Sequence, residues 1–580
     1  MQKKWIINRT NREFVDYLSK AAGVSPIVAQ IMINRNIKTP DKVKSFFSAS
    51  LSALSDPYEL PGMEKAVERI LCAISSGQHM LVHGDYDADG TTATAILVET
   101  LLRLGGSVEY FIPTRFKHGY GFHGAAVEIA RDNNVGLIIT VDCGISSFEA
   151  VELANSFGID VIITDHHEPL WNDKETVDDA QAGSVCAASA LLPAAFCIVN
   201  PKLTGVDNPL SILTGAGVSL KLSIALMARG GGSDDFTALL DMAAIGTIAD
   251  VAPLIGDNRV IVKEGLRVLA NKNRVGLRTL LASTGMSERA LEPDFMSYSV
   301  IPRINAAGRM ADASSVVKLL ITESVAEAET IAQYLNSVNI ERQRVEEYVL
   351  EMSLIQVQRK GFDKVIVIAD EGWHEGVLGI VASKMVDRYG LPTVVFSMKN
   401  GIARGSARSV PGLDICDAIS QCSECVIQFG GHRQAAGLTL KEEDIDRFET
   451  LINEHVKNTI ADSDFTPIIN IDADVALKDV NAKLMTELTK LSPYGYGNPE
   501  PILGAKGLMT LNPRIVGKNH LKLRLGYNGY IIDAIGYDLG GYLQELSMHE
   551  RFDAAFTPTT NSYNGIRSVQ LNVKALKPSD

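Results

Sequence analysis

HMLVHGDYDADGTTATAILVETLLRL, residues 79–104, changes character twice. Residues 79–84 form a short apolar run of the kind that fills a buried strand. Asp85, Asp87 and Asp89 then crowd the following turn, and residues 91–104 are an Ala/Thr/Leu stretch that reads as a helix. Strand, turn and helix make one βα unit. Further apolar strands are predicted at 108–112, 135–141 and 159–164, separated by helices at 125–132 and 147–157. Strands alternating with helices predict a parallel sheet covered on both faces, a doubly wound α/β domain.

Outward from that unit, the chain divides into five stretches. Residues 1–75 look helical and polar, are broken by Pro40 and Asp56-Pro57, and carry no recognisable chemistry. The α/β domain occupies 76–321. Residues 322–360 contain no Gly or Pro, and Ile331, Leu335, Val338, Val345, Val349 and Met352 recur at helical spacing. At 1.5 Å per residue such a helix spans about 50 Å, which suits a rigid connector between two lobes. A second α/β domain is predicted over 361–465, opening on KVIVIAD (364–370) with a further strand at 393–396. Over 466–580 strands alternate and two Asn-Gly pairs, 528–529 and 564–565, mark hairpins, so a small β-barrel is expected.

Composition narrows the function classes. With 580 residues, 46% hydrophobic and 21% charged, the chain is too long for one small fold and too apolar for wholesale disorder. No apolar run approaches the ~18 residues that a membrane span needs, and no signal-peptide core follows Met1. A cytoplasmic protein without a membrane partner is expected. The seven scattered cysteines fit no disulfide framework and are expected to be reduced; Cys422 and Cys425 have CxxC spacing without a second pair. The net charge of −14 excludes a global basic footprint for nucleic acid. Binding a polyanion therefore requires basic side chains concentrated in one groove.

The densest chemistry lies at the ends of predicted elements. HGDYDADG supplies His83, Asp85, Asp87 and Asp89; TVDCG supplies Asp142; ITDHHE supplies Asp165, His166 and His167; IGTIADVAPL supplies Asp250. Ligand sites in doubly wound sheets form at the carboxyl ends of strands, so the first three groups should meet in one crevice. A lone Asp after a strand is usually a cap or turn former, and Asp142 by itself fits that reading. The joint set does not, because so many carboxylates in one cleft demand cations. Carboxylates with imidazole suit Mn²⁺, admit Mg²⁺ and, lacking thiolates, argue against structural zinc. Two such ions ~3.5–4 Å apart would clamp a phosphoryl transfer.

Basic residues gather mid-chain. PRINAAGR (302–309) brings Arg303, Asn305 and Arg309; ARGSARS (403–409) brings Arg404, Ser406 and Arg408; GGHRQAAG (430–437) brings Gly431, His432 and Arg433. Arginine forks match phosphate geometry, and paired glycines let backbone N–H groups approach an anion. Arg342 and Arg344 on the connector read as solvated surface. Trp373 suits core packing and base stacking equally.

Taken in order, DYDADG, VDCG, the DHH triplet, ADVAPL, PRINAAGR, WHEGVLGIVAS, GSARS and GGHRQAAG resemble the DHH phosphoesterase superfamily, and within it the exonucleases specific for single strands. The likeness covers nearly the whole chain. It implies a DHH domain, a connector helix, a DHH-associated domain and an OB-like barrel beginning near YGYGNPEP (494–501). Asp87, Asp89, Asp142, His166 and Asp250 are then metal ligands, with Asp142 bridging and His83 a further ligand of an HxxxDxD motif. Asp85 and Asp165 could equally orient ligands. His167, with Asp165, is the catalytic pair beside the scissile phosphate. Arg303, Asn305, Arg309, Ser406, Arg408, Gly431 and His432, with Arg115 of FIPTRF, face the nucleotide path. The implied activity is 5′-to-3′ degradation of single-stranded DNA with two Mn²⁺ or Mg²⁺ ions, serving repair and recombination beside a single-strand-binding protein and a helicase. Small-substrate phosphodiesterases or pyrophosphatases of the superfamily generally lack an added barrel, so residues 466–580 weigh against them. A non-catalytic scaffold would have lost ligands that are all present here.

Overall fold

The protein is described from a computed structural model over residues 4–114, 121–171, 190–205, 208–231, 235–285, 291–459, 468–563 and 566–579. The predicted βα unit is β1 (His79–His83) and α1 (Ala88–Arg103). The helix starts three residues earlier than the apolar pattern suggests because Asp87 caps it, its Oδ1 accepting the Gly90 N–H at 3.0 Å. Along its first turns Thr91, Thr92 and Thr94 are fully buried and return their hydroxyls to carbonyls four residues back, so polar side chains survive in the core.

Then come β2 (Ser107–Phe111), α2 (Gly124–Asp132), β3 (Leu137–Val141), α3 (Phe148–Ser156), β4 (Asp160–Thr164) and β5 (Cys197–Val199). All pairings are parallel, in the order β2-β1-β3-β4-β5. Every residue of β3 is buried, as a strand covered on both faces must be. Helices α2 and α3 pack on one face. The other face carries α1, α4 (Gly215–Gly230), α5 (Leu240–Ala249) and α6 (Gly256–Ala270). This is the doubly wound domain expected from sequence, and its strand order reverses between β1 and β3, where such sheets open a ligand crevice.

Helix α7 (Ile301–Met310) carries PRINAAGR, and the connector is α8 (Val325–Lys360), capped by Ser324. It belongs to two cores: Ala328, Ala332 and Leu335 pack into the first domain, Val349 and Val357 into the second. Between them Arg342 is buried, bonded to Asn339 and Glu346, which corrects its reading as a solvated arginine; Arg344 is exposed. The second domain comprises β6 (Ile366–Glu371), α9 (Glu375–Tyr389), β7 (Thr393–Lys399), β8 (Ile402–Arg408), β9 (Val426–His432) and β10 (Ala435–Lys441). Its sheet runs β9-β10-β8-β7-β6, with only the β6–β7 pair parallel. Trp373 is 5% exposed in the core against α8, a packing residue and not a base stacker.

The C-terminal strands β11 (Leu503–Val516), β12 (His520–Tyr527), β13 (Tyr530–Gly536), β14 (Phe552–Tyr563) and β15 (Ile566–Pro578) close into a barrel by pairing β11 with β14. Asn528 and Gly529, both at positive φ, turn the β12–β13 hairpin; the second Asn-Gly pair lies outside the described residues. Residues 12–48 form helices whose Leu18, Ile31 and Met32 share a core with Leu503, Leu521 and Phe552 of the barrel. The two ends of the chain thus form one body, although the sequence divides them into separate stretches. Among the described residues no helix is long and apolar enough to cross a membrane.

Candidate metal centre and strand-binding cleft

Three strand ends and one helix end meet at the switch point. The Asp85–Asp89 turn follows β1, Asp142 follows β3, Asp165 to His167 follow β4, and Asp250 ends α5. His166 stands centrally: its Nε2 lies 2.9 Å from Asp142 Oδ1 and 3.8 Å from Asp89 Oδ2, and its Nδ1 lies 3.9 Å from Asp250 Oδ2. Ligand atoms come within 4.8 Å of one another in three overlapping sets: Asp142, His166 and His167; Asp89, His166 and Asp250; Asp85, Asp87 and Asp142. Asp85, weighed from sequence as an outer residue, therefore reaches ligand spacing. His83 joins none of these sets; its Nδ1 sits 3.5 Å from Cys143 Sγ and its ring stands edge-on to Phe122.

The fold holds these carboxylates tightly. Asp89 accepts the Gly215 and Ala216 N–H groups that open α4, at 2.7 and 2.9 Å. Asp142 adopts φ 63°, a strained conformation for a residue with a side chain. A Cβ on Gly215 would come 2.5 Å from Asp142 Oδ1, so glycine there lets the helix end close on the carboxylate. Both Asp165 oxygens are engaged: Oδ1 accepts from the backbone N–H groups of His166 and His167 and from His167 Nδ1 at 2.7 Å, and Oδ2 accepts from Ile145. Asp165 thus shapes the turn and orients His167.

Burial, reinforced by neighbouring carboxylates, raises Asp85 and Asp142 well above the ordinary range; burial and then Asp250 lift Asp89 to about 7, and burial and then Asp87 lift Asp250 to about 6. Burial opposes charge on His167, but its bond to Asp165 and the surrounding carboxylates outweigh it and raise the pKa to about 9. His166, buried beside that cation, is lowered. Asp85 Oδ1 and Asp142 Oδ1 are buried without a hydrogen-bond partner among the described residues. The 2.9 Å approach of His166 to Asp142 therefore lies off a hydrogen-bonding line, as expected of two ligands aimed at a shared cation. The donor set fits divalent metal.

The predicted strand-binding residues form a path away from this cluster. Asn305 Oδ1 accepts the Ala88 N–H at 2.8 Å, and a Cβ on Gly308 would strike Tyr86 O at 2.3 Å, so α7 lies directly on the aspartate turn. Arg303 bonds to Asn336 and Ser299, and Arg309 Nη1 donates to Gly376 O, joining α7 to the start of α9. One turn further along α9, Gly379 faces Arg408 and Ser406. Those two line a cleft of about 260 Å³ with Arg404, Gly431 and Gly437. Ser406 pairs with Gly437, which pairs with Gly430, and neither glycine has a neighbour within 4 Å of its Cβ position, so the sheet surface there is bare backbone. His432 ends β9 and is exposed. Arg115 lies outside the described residues. Sequence reasoning passed over Gly215 and Gly379, although glycine inside a helical pattern signals close approach.

Comparison with known proteins agrees with this layout. Residues 79–247 match the DHH family N-terminal domain, 362–458 the DHHA1 domain and 471–575 the RecJ OB domain. The chain is 33% identical over 554 residues to the single-stranded-DNA-specific exonuclease RecJ of Dickeya dadantii, covering 91% of this chain and 92% of that one. The chain belongs to the RecJ family. The Bacillus subtilis RecJ is 35% identical over 98% of this chain and 70% of its own. A crystal structure of RecJ in complex with Mn²⁺ from Thermus thermophilus superimposes with a TM-score of 0.84 at 29% identity, covering all of this chain and 80% of that one. The Mg²⁺ complex of the same RecJ gives 0.78 at 28% identity, covering all of this chain and 79% of that one.

Proposed function

We propose that this protein removes nucleotides from the 5′ end of single-stranded DNA by metal-dependent phosphodiester hydrolysis. The observation that carries the reading is the junction of a cation-demanding carboxylate cluster, through α7 and α9, to an arginine–serine cleft floored by bare backbone. Asp87, Asp89, Asp142, His166 and Asp250 would hold two ions, with Asp85 beside Asp142; Mn²⁺ suits this mixed set best and Mg²⁺ is admitted. Bound there, the ions supply the charge that makes water nucleophilic near neutral pH and neutralises the phosphodiester.

The chain's own side chains do the rest. His167, held through Nδ1 by Asp165, which favours its charged form, points its other ring N–H at a phosphate oxygen as negative charge builds on it. Ser406 and the Arg408 fork receive the terminal 5′ phosphate, which carries more charge than an internal diester. Gly430 and Gly437 let the strand's backbone lie close to the sheet, with Gly431 lining the cleft and Arg303, Arg309 and His432 along its path. Such an enzyme needs single strands, so a helicase and a single-strand-binding protein belong to this reading as partners, and the cytoplasm as its location.

Digestion of 5′-labelled and 3′-labelled single strands and of duplex with Mn²⁺ tests substrate, polarity and metal together. Release of labelled mononucleotide first from the 5′-labelled single strand is expected. Prior attack at the 3′ end, or hydrolysis confined to pyrophosphate and dinucleotides, would replace this reading with another from the same superfamily.

A further inference from the structure

Four residues after Asp250 the chain enters the grip of the C-terminal body. The Leu254 N–H donates to Tyr496 O at 2.7 Å. Gly497, at φ 73°, packs so closely that a Cβ there would lie 3.0 Å from Pro253 Cβ and 3.2 Å from its Cα. Asn498 is fully buried and shapes this turn, donating through Nδ2 to Leu491 O at 2.9 Å and Pro493 O at 2.7 Å. Beneath it Arg259, 1% exposed at the start of α6, donates to the carbonyls of Lys490, Leu491 and Ser492 and lies 3.8 Å over the Phe46 ring.

The gripped loop needs holding. Val251, next to Asp250, sits at φ 56° and is 64% exposed. A β-branched residue in the left-handed region is costly, and its own side chain contributes little burial in return. Asp250 is also the metal-cluster member supplied by a helix end and not by a strand end or the β1 turn. Its carboxylate position therefore depends on how residues 251–254 leave α5.

We infer that the 494–498 turn is a positioning element of the metal centre: by fixing Pro253 and Leu254 it holds strained Val251, and so Asp250, in ligand geometry. The barrel body then serves the chemistry although it supplies none of these ligands. The inference rests on the proposed ligand role of Asp250.

The test uses the full chain and three measurements: Mn²⁺ binding by calorimetry, single-turnover cleavage of a saturating short 5′-phosphorylated oligonucleotide, and oligonucleotide affinity in Ca²⁺. Gly497→Ala should weaken Mn²⁺ binding about tenfold, the usual effect of disturbing a group that orients a ligand, and slow cleavage accordingly. Oligonucleotide affinity should stay near wild type, which a general loss of structure would not allow, while the melting temperature falls only by the local cost of a side chain at φ 73°. Pro253→Ala, which removes the ring without adding an atom, should shift Mn²⁺ binding in the same direction and carries the test if Gly497→Ala does not fold. Folded variants with Mn²⁺ affinity within about twofold of wild type overturn the inference. A wild-type chain that binds Mn²⁺ but leaves single strands intact overturns the proposed function instead.

Discussion

Substituting Gly379 with alanine should separate the stability of this protein from its recognition of a 5′ end. Gly379 lies inside α9 with its Cβ position 2.7 Å from Arg408 Nη2 and 3.0 Å from Ser406 Oγ. An ordinary contact needs about 3.5 Å, so the guanidinium must retreat by about 0.8 Å. What yields is the far end of a long side chain, and alanine favours a helix interior over glycine by up to about 1 kcal/mol, so the melting temperature should hold or rise. The fork fares worse. Arg408 Nη1 is oriented by Ala407 O at 2.8 Å and Ser406 Oγ at 3.3 Å, and a displacement of that size takes one charge-assisted bond to a terminal phosphate out of range. Losing it costs roughly 1.5–3 kcal/mol, a factor of about ten or more. Single-turnover rates on 5′-phosphoryl and 5′-hydroxyl strands with Mn²⁺ should therefore converge in Gly379→Ala. Arg408→Ala should remove the same preference, and the double variant should add nothing further, because both changes act on one contact. An undiminished 5′-phosphate preference in folded Gly379→Ala would show that the cleft is not the end sensor.

Asp142→Ala should abolish cleavage while single-strand affinity in Ca²⁺ persists, because it removes a carboxylate shared by two ligand sets and leaves the arginine cleft intact; substantial turnover in Mn²⁺ would refute its bridging place. In EDTA the melting temperature should fall as pH rises from about 4 towards 7.5, since Asp89 and Asp250 are protonated more readily folded (about 7 and about 6) than unfolded, and ionising them buries charge. Mn²⁺ should restore more stability at pH 7.5 than at pH 5.5, because at the lower pH it competes with those protons; a pH-independent gain would contradict the cluster's electrostatics. Removing residues 468–580 should destabilise the whole chain, as it strips cover from Leu18, Ile31 and Met32, each worth about 1.5–3 kcal/mol, and takes the carbonyl partners of buried Arg259. An unchanged melting curve for the truncated chain would refute that dependence.

The order of residue types along the chain determined the local chemistry and the layers. Strand-turn-helix units at His79–Arg103 and after Asp142 dictate a parallel sheet, and a parallel sheet places whatever follows its strands at one edge; Asp85, Asp142 and His166 were therefore legible as neighbours from their positions alone. Asp250 was joined to them by the family resemblance of its motif and not by its position, because a helix end meets a sheet edge only through packing. The same limit applied to Arg342, whose solvated appearance in a helix gave way to burial once Glu346 and Asn339 could pair with it. Tertiary structure alone decided that residues 12–48 and the barrel share a core, that Asp165 is spent on its turn, and that Gly379 makes room for Arg408. Periodicity and motif spacing report what a segment presents to its surroundings, whereas these contacts join residues separated by up to hundreds of positions, and only close packing of the folded chain selects them.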